Sequence, residues 1–251
     1  MLKFFRHIRK KLIEKKNVRK YFLYAIGEIL LVVIGILIAL QLNNWNEQRK
    51  SIDYENTLLI EMRKSLNNDL FMITEYFEPR VNKSKLGIDS LLYFVGRNEL
   101  PEQETLRNLL GDMLTDFDYR FDSGSYENLK SSGLNIIQND SLRSMITSTY
   151  GVTFPAFEKF TNEYSEKKND EARIYLRKLI KDETYMDSDG STKVREVPVI
   201  SDINNSDLLR VINLRRQVYF NNFRRLDGAK RINRNLEKMI SDELRRRKVE
   251  F

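Results

Sequence analysis

The chain has 251 residues, with 43 Lys plus Arg against 36 Asp plus Glu and a formal net charge of +7. Its length allows one or two folded units, and 12 Tyr and 14 Phe beside only 10 Gly and 4 Pro exclude a collagen-like or broadly disordered chain. The absence of Cys and the single His, His7, exclude disulfides, thiolate metal sites, cysteine nucleophiles and most imidazole chemistry.

Charge is segregated along the chain. Residues 1–20 carry nine basic residues against Glu14 alone, and residues 209–251 carry thirteen against five, so the middle is strongly acidic. A basic average is therefore a poor argument for nucleic acid, and no nucleic-acid partner is expected. No Gly-rich phosphate loop occurs, and no cofactor is implied.

Residues 1–20 form a basic arm. Leu2, Phe4, Phe5, Ile8, Leu12 and Ile13 thread an apolar stripe through it, a pattern suited to lying on anionic lipid. Residues 21–42, YFLYAIGEILLVVIGILIALQL, contain one ionisable group, Glu28. At 1.5 Å per residue such a helix spans about 33 Å, close to the hydrocarbon core of a bilayer. Tyr21, Tyr24 and, beyond the far end, Trp45 are the expected interface anchors. The run ends Ile38-Ala39-Leu40-Gln41-Leu42-Asn43, with no small-x-small cleavage site, so it reads as an uncleaved signal anchor. Nine Lys and Arg precede the span, and only Arg49 and Lys50 follow within twenty residues. The positive-inside rule then puts residues 1–20 in the cytoplasm and 43–251 outside it.

Within the span, Ala25, Glu28, Val32, Gly35, Ala39 and Leu42 follow steps of three and four and share one stripe. Gly35-x-x-x-Ala39 is a small-xxx-small pair that allows close helix approach. This stripe is the candidate packing interface with a second copy or another membrane protein. Two readings of Glu28 stay open: a hydrogen bond to a partner helix, or a neutral or snorkelling carboxyl near the cytoplasmic edge.

Three blocks carry a resemblance: Lys3-Phe4-Phe5-Arg6 with Tyr24-Ala25-Ile26-Gly27-Glu28-Ile29; Val33 to Gln41 with Asn43-Asn44-Trp45-Asn46-Glu47; and Ser125-Tyr126-Glu127-Asn128-Leu129-Lys130-Ser131-Ser132-Gly133, followed by Ile136-Ile137 and Leu142-Arg143. The chain resembles a family of small bacterial membrane proteins known only as a domain of unknown function. The resemblance implies a Gram-negative inner-membrane protein with a periplasmic helical domain. It implies no activity and no site.

The remaining pattern is helical. Leu59, Met62, Leu66, Leu70, Ile73 and Phe77 mark one face of a long helix continuous with the span, which Pro79 should kink or end. A second amphipathic run stops near Gly96 and Pro101, and residues 102–115 read as helix. Residues 116–122 alternate, with Phe117, Tyr119 and Phe121 on one side of an extended segment. A short helix follows and ends at Gly133 in an expected Schellman motif, with Leu129 and Leu134 as its apolar pair. Asn139 or Asp140 should cap a helix reaching about Tyr150. Residues 154–182 read as a charged helix, 183–204 as a loop with room for a hairpin at Asp189-Gly190, and 205–248 as the last long helix. The fold class expected is mainly α: one N-terminal transmembrane helix (21–42), then an extracytoplasmic helical bundle with long helices (43–251).

Candidate chemistry is sparse. Asp116, Asp118, Asp122 and Glu127 could gather Ca²⁺, but Arg120 occupies a ligand position and the required Gly is missing, so no metal site is assigned. Ser165-Glu166-Lys167-Lys168 matches Ser-x-x-Lys without its companion motifs. No catalytic or cofactor-binding residue is assigned. The function expected is a membrane-anchored interaction or scaffold protein in contact with the lipid bilayer. A ligand sensor signalling through a partner is the second reading and a periplasmic hydrolase the third.

Overall fold

The computed structural model describes residues 18–251, and packing divides the chain into two units, Met1–Glu55 and Asn56–Phe251. The basic arm and the side chains of Tyr21 and Tyr24 lie outside the described residues.

In the first unit the backbone is helical from Val18 onward. The helix, α1, is Val18–Met72. Its most apolar stretch has a mean hydropathy of 2.5, none of it is buried, and it is long and apolar enough to cross a membrane. Apolar side chains such as Leu31 and Leu37 are exposed.

The second unit is built from the end of α1 and six further helices: α2 (Glu78–Arg97), α3 (Gln103–Met113), α4 (Gly124–Ser132), α5 (Asp140–Ser148), α6 (Phe154–Leu176) and α7 (Ser206–Arg246). One antiparallel hairpin, β1 (Ile180–Met186) and β2 (Thr192–Pro198), joins α6 to α7. The fold is mainly helical, as the periodicity requires. At 41 residues α7 extends about 60 Å. It supplies buried residues to all three core clusters: Leu236, Ile240 and Leu244 against α1, α4 and α5; Leu226 and Ala229 against Ile73, Phe77 and Tyr119; Leu208, Val211 and Ile212 against α2 and α3.

Two π-helical turns, Ile73–Phe77 and Thr149–Thr153, share one cause. Each is followed, one residue later, by a proline in the first turn of the next helix, Pro79 and Pro155. A proline lacks the N–H for the i−4 bond, and its ring collides with that carbonyl. Widening the preceding turn removes the collision. Glu78 and Phe154 accordingly donate to the carbonyls five residues back, Ile73 and Thr149. Pro79 therefore shifts the helix register instead of ending it.

Other junctions follow local chemistry. Asn98, in the left-handed region at φ 53°, closes α2. The Asn139 side chain accepts from the Leu142 N–H and caps α5 as expected. The Schellman expectation at Gly133 is wrong in form. Its φ of 98° needs glycine, but ψ of 123° is extended, and the chain turns into a 3₁₀ segment, Leu134–Ile136. Residues 116–122 pair with no strand, yet the alternation holds: Tyr119 is buried, Phe117 and Phe121 half-buried, Asp118, Arg120 and Asp122 exposed. Helix α6 stops at Leu176, short of 182, because Ile180 begins the hairpin.

Candidate functional site

Asp69 lies on the buried face of α1. Sequence spacing assigned that position to Leu70, but the face runs Leu59, Met62, Leu66, Asp69, Ile73, and Leu70 is only half-buried. The 115–123 segment folds across it, and the Asp122 backbone N–H donates to Asp69 Oδ1 at 2.9 Å. Ser125, from α4, and Tyr150, from the second π turn, complete the cluster. Asp69 Oδ2, Ser125 Oγ and the Tyr150 hydroxyl are all buried without a well-formed hydrogen bond.

Aromatic rings wall this cluster. Tyr126 stacks on Tyr150 at 5.2 Å, and Phe154 meets Tyr150 edge-on at 5.3 Å and Phe121 at 5.4 Å. Low dielectric disfavours the carboxylate. Burial pushes the Asp69 carboxyl up to about 7; the Asp122 N–H opposes that, and the Asp122 carboxylate adds to it. Burial also drives the Tyr119 and Tyr150 hydroxyls upward, so both stay protonated. The cluster is thus a buried group that binds or releases one proton near neutral pH.

The block Ser125–Gly133 now has a physical role. Ser125, Tyr126 and Leu129 face the cluster and the core, and Glu127, Asn128 and Lys130 face outward. Nothing in the sequence marked Asp69, since Asn67-Asn68-Asp69 reads as a polar helix face. The one available signal was its three-residue step from Leu66.

A second buried network is fully satisfied. Arg215, 2% exposed, donates to the Met113 carbonyl at 3.0 Å, the Thr115 carbonyl at 2.8 Å, Asp116 at 3.3 Å and Asn169. Burial lowers its pKa while the Asp116 carboxylate opposes the shift. Ser165 donates to Asn222 at 3.1 Å beside this network, so the Ser-x-x-Lys serine is part of helix packing.

The acidic residues considered for calcium go to separate partners. Asp116 holds Arg215, Asp118 holds Arg120, Asp122 accepts from the Gly124 N–H, and Glu127 pairs with Lys130. Among the described residues no three potential metal ligands cluster. Asp187 to Ser191 forms the hairpin turn, with Gly190 at φ 79°.

In the apolar helix, a Cβ added at Gly35 would meet nothing, and Val32, Ala39 and Leu42 are exposed. Ala25 and Glu28 are half-exposed, and Trp45 is exposed. Among the described residues, none packs on Val32, Gly35, Ala39 or Leu42 closely enough to bury it.

Much of the basic surface of α7 meets acids. Lys230 pairs with Glu78 at 2.7 Å, Arg210 with Glu171, and Arg246 and Arg247 with Glu243 at 2.5 and 2.7 Å. Burial would raise Glu243, but hydrogen bonds from Arg246, Asn139 and Arg247 prevail and hold it at about 2. Arg224 and Arg225 have no carboxylate partner among the described residues.

No curated protein and no solved structure matches the chain. A model described as "Family of unknown function (DUF6090)" matches residues 28–222, a stretch that begins at Glu28 in the apolar helix and includes both Asp69 and the Ser125–Gly133 block. With more than three quarters of its length matched, the chain belongs to that family of unknown function.

Proposed function

We propose that this chain is an inner-membrane interaction or scaffold protein. Helix 21–42 is its signal anchor, residues 1–20 are cytoplasmic, and residues 43–251 form a periplasmic helical domain. One observation carries the reading: the apolar stretch of α1 is wholly unburied among the described residues, and a Cβ at Gly35 on its small-residue stripe would meet nothing there. Where lipid is as apolar as the helix, close packing at small residues drives association. The flanking asymmetry of nine basic residues against two supports the orientation. The sensor reading has one observation in its favour. The backbone is helical without interruption from Val18 to Met72, through the apolar segment and on to core positions Leu59 and Leu66.

A membrane two-hybrid assay of the full chain against itself and against captured partners tests the proposal. Gly35→Ile and Glu28→Leu should weaken association, and Leu37→Ile, off the stripe, should not. Wild-type signal from both of the first two would reduce the span to an anchor.

A further inference from the structure

Helices α6 and α7 pack antiparallel, and on the side away from the Arg215 network they leave an open groove of about 550 Å³. Phe157, Tyr164, Phe220, Arg224, Arg225 and Arg231 line it, and no carboxylate does. At its base the Phe157 ring packs on Gly228, where an added Cβ would sit 3.2 Å from the ring.

Arg224 has no ion pair or hydrogen bond among the described residues. Arg225 reaches only the Asn221 side chain, at 3.3 Å, and the face of Phe160, at 5.1 Å. Arg231 meets Asp227 at 3.3 Å in a solvent-exposed pair worth little. Apolar surface is also left open: Phe220 in the lining and Phe160, beneath Arg225, are each about half exposed. Unpaired arginine interleaved with exposed aromatic rings is the composition of protein–protein hot spots, where Arg forks bind carboxylates and rings fill apolar pockets.

We infer that this groove docks an extended acidic segment of a partner protein that alternates carboxylate and apolar or aromatic side chains. The lining runs from Gln217 to Arg231, about 21 Å along α7. Six extended residues cover about 20 Å. Alternation suits a two-walled groove, because successive side chains of an extended chain point to opposite faces: apolar ones toward Phe157 and Tyr164 on α6, carboxylates toward Arg224 and Arg231 on α7. The amide of Gln217 in the lining offers a peptide backbone a donor and an acceptor, with Asn221, already bonded to Asn222 and Arg225, beside it. A lipid acyl chain there would cover those amides without satisfying them. This surface is separate from the membrane stripe, so the inference stands or falls independently of it.

The test uses the full chain in phosphatidylcholine nanodiscs and fluorescence anisotropy. The probe is a fluorescein-labelled hexapeptide of alternating Glu and Phe. It should bind saturably, and hexapeptides of Lys and Phe or of Glu and Ser should bind at least about tenfold more weakly. The double variant Arg224→Glu/Arg225→Glu, and separately Phe220→Ser, should each weaken binding about tenfold or more with unchanged circular dichroism, because all three positions are solvent-accessible. Absence of saturable binding, unchanged affinity in both variants, or equal binding of the Glu–Ser peptide would overturn the inference. So would full displacement of the probe by phosphatidylglycerol vesicles or inorganic phosphate, which would make the groove a phosphate site instead.

Discussion

Replacing Asp69 by Asn should stabilise this protein at alkaline pH and leave it nearly unchanged in acid. Burial pushes the carboxyl up to about 7 in the fold, against its ordinary 3.8. A raised carboxyl pKa means the folded state holds a proton that the unfolded chain has released. The associated stability is complete below about pH 3.8 and is lost progressively as pH rises through 7. At 1.36 kcal/mol per pH unit, the three-unit gap amounts to about 4 kcal/mol in total. Between pH 5 and pH 8 the loss is about 2.5 kcal/mol, since part has already gone by pH 5. Asn keeps the shape, accepts from the Asp122 N–H through its carbonyl, and turns an N–H₂ toward the Ser125 and Tyr150 oxygens, as a protonated carboxyl would. Urea unfolding of the full chain in detergent, followed by far-ultraviolet circular dichroism at pH 5, 6, 7 and 8, measures the gap. The Asn variant should gain on wild type by about 2–3 kcal/mol across that range. Parallel curves, or a variant less stable than wild type at pH 8, would refute the assignment of a buried, proton-holding Asp69.

Three further outcomes follow from packing. Gly87→Ala should destabilise by about 3 kcal/mol, because its Cβ would lie 2.3 Å from the Met113 backbone nitrogen and 2.8 Å from the Leu109 carbonyl; thermal melts of this variant beside Gly35→Ala, where nothing is met, give the contrast. Arg215→Met should cost about 1–3 kcal/mol in the same unfolding assay, because the Thr115 carbonyl loses its donor and Asp116 its counter-charge, while Ser84 still donates to the Met113 carbonyl. Glu243 has a depressed carboxyl, so its contribution is present above pH 4.5 and lost as pH falls toward 2. Glu243→Gln should remove that acid-limb dependence and cost about 2 kcal/mol at pH 7, a figure discounted because Arg246 is largely solvent-exposed.

The elements that sequence periodicity located are those whose burial is set by one continuous helical face. Leu208, Val211, Ile212, Leu226, Leu236, Ile240 and Leu244 fall on one helical face and are all buried on α7. Capping chemistry at Asn139 is local and was equally legible. The hairpin was less so, because its strands, IKDETYM and TKVREVP, are exposed along most of their length and carry little apolar alternation. The π turns required knowing what a proline does to the turn before it rather than to the helix after it. Asp69 was hidden for a different reason. Its burial is created by Tyr119, Asp122 and Tyr150, 50 to 81 residues away, and helix spacing on α1 cannot report what folds across it. The α6–α7 groove was half visible: residues 209–251 stood out as basic, but only the antiparallel packing sets Phe157 and Tyr164 beside Arg224 and Arg225.

The central claim is a periplasmic helical domain held by one N-terminal membrane helix. Fusing alkaline phosphatase after residue 251, and separately a fluorescent protein that matures only in the cytoplasm, measures it directly. The account predicts an active phosphatase and a dark fluorescent fusion. A bright fluorescent fusion with inactive phosphatase would put the domain in the cytoplasm and contradict both the anchor's orientation and the exclusion of nucleic acid from the basic surface of α7.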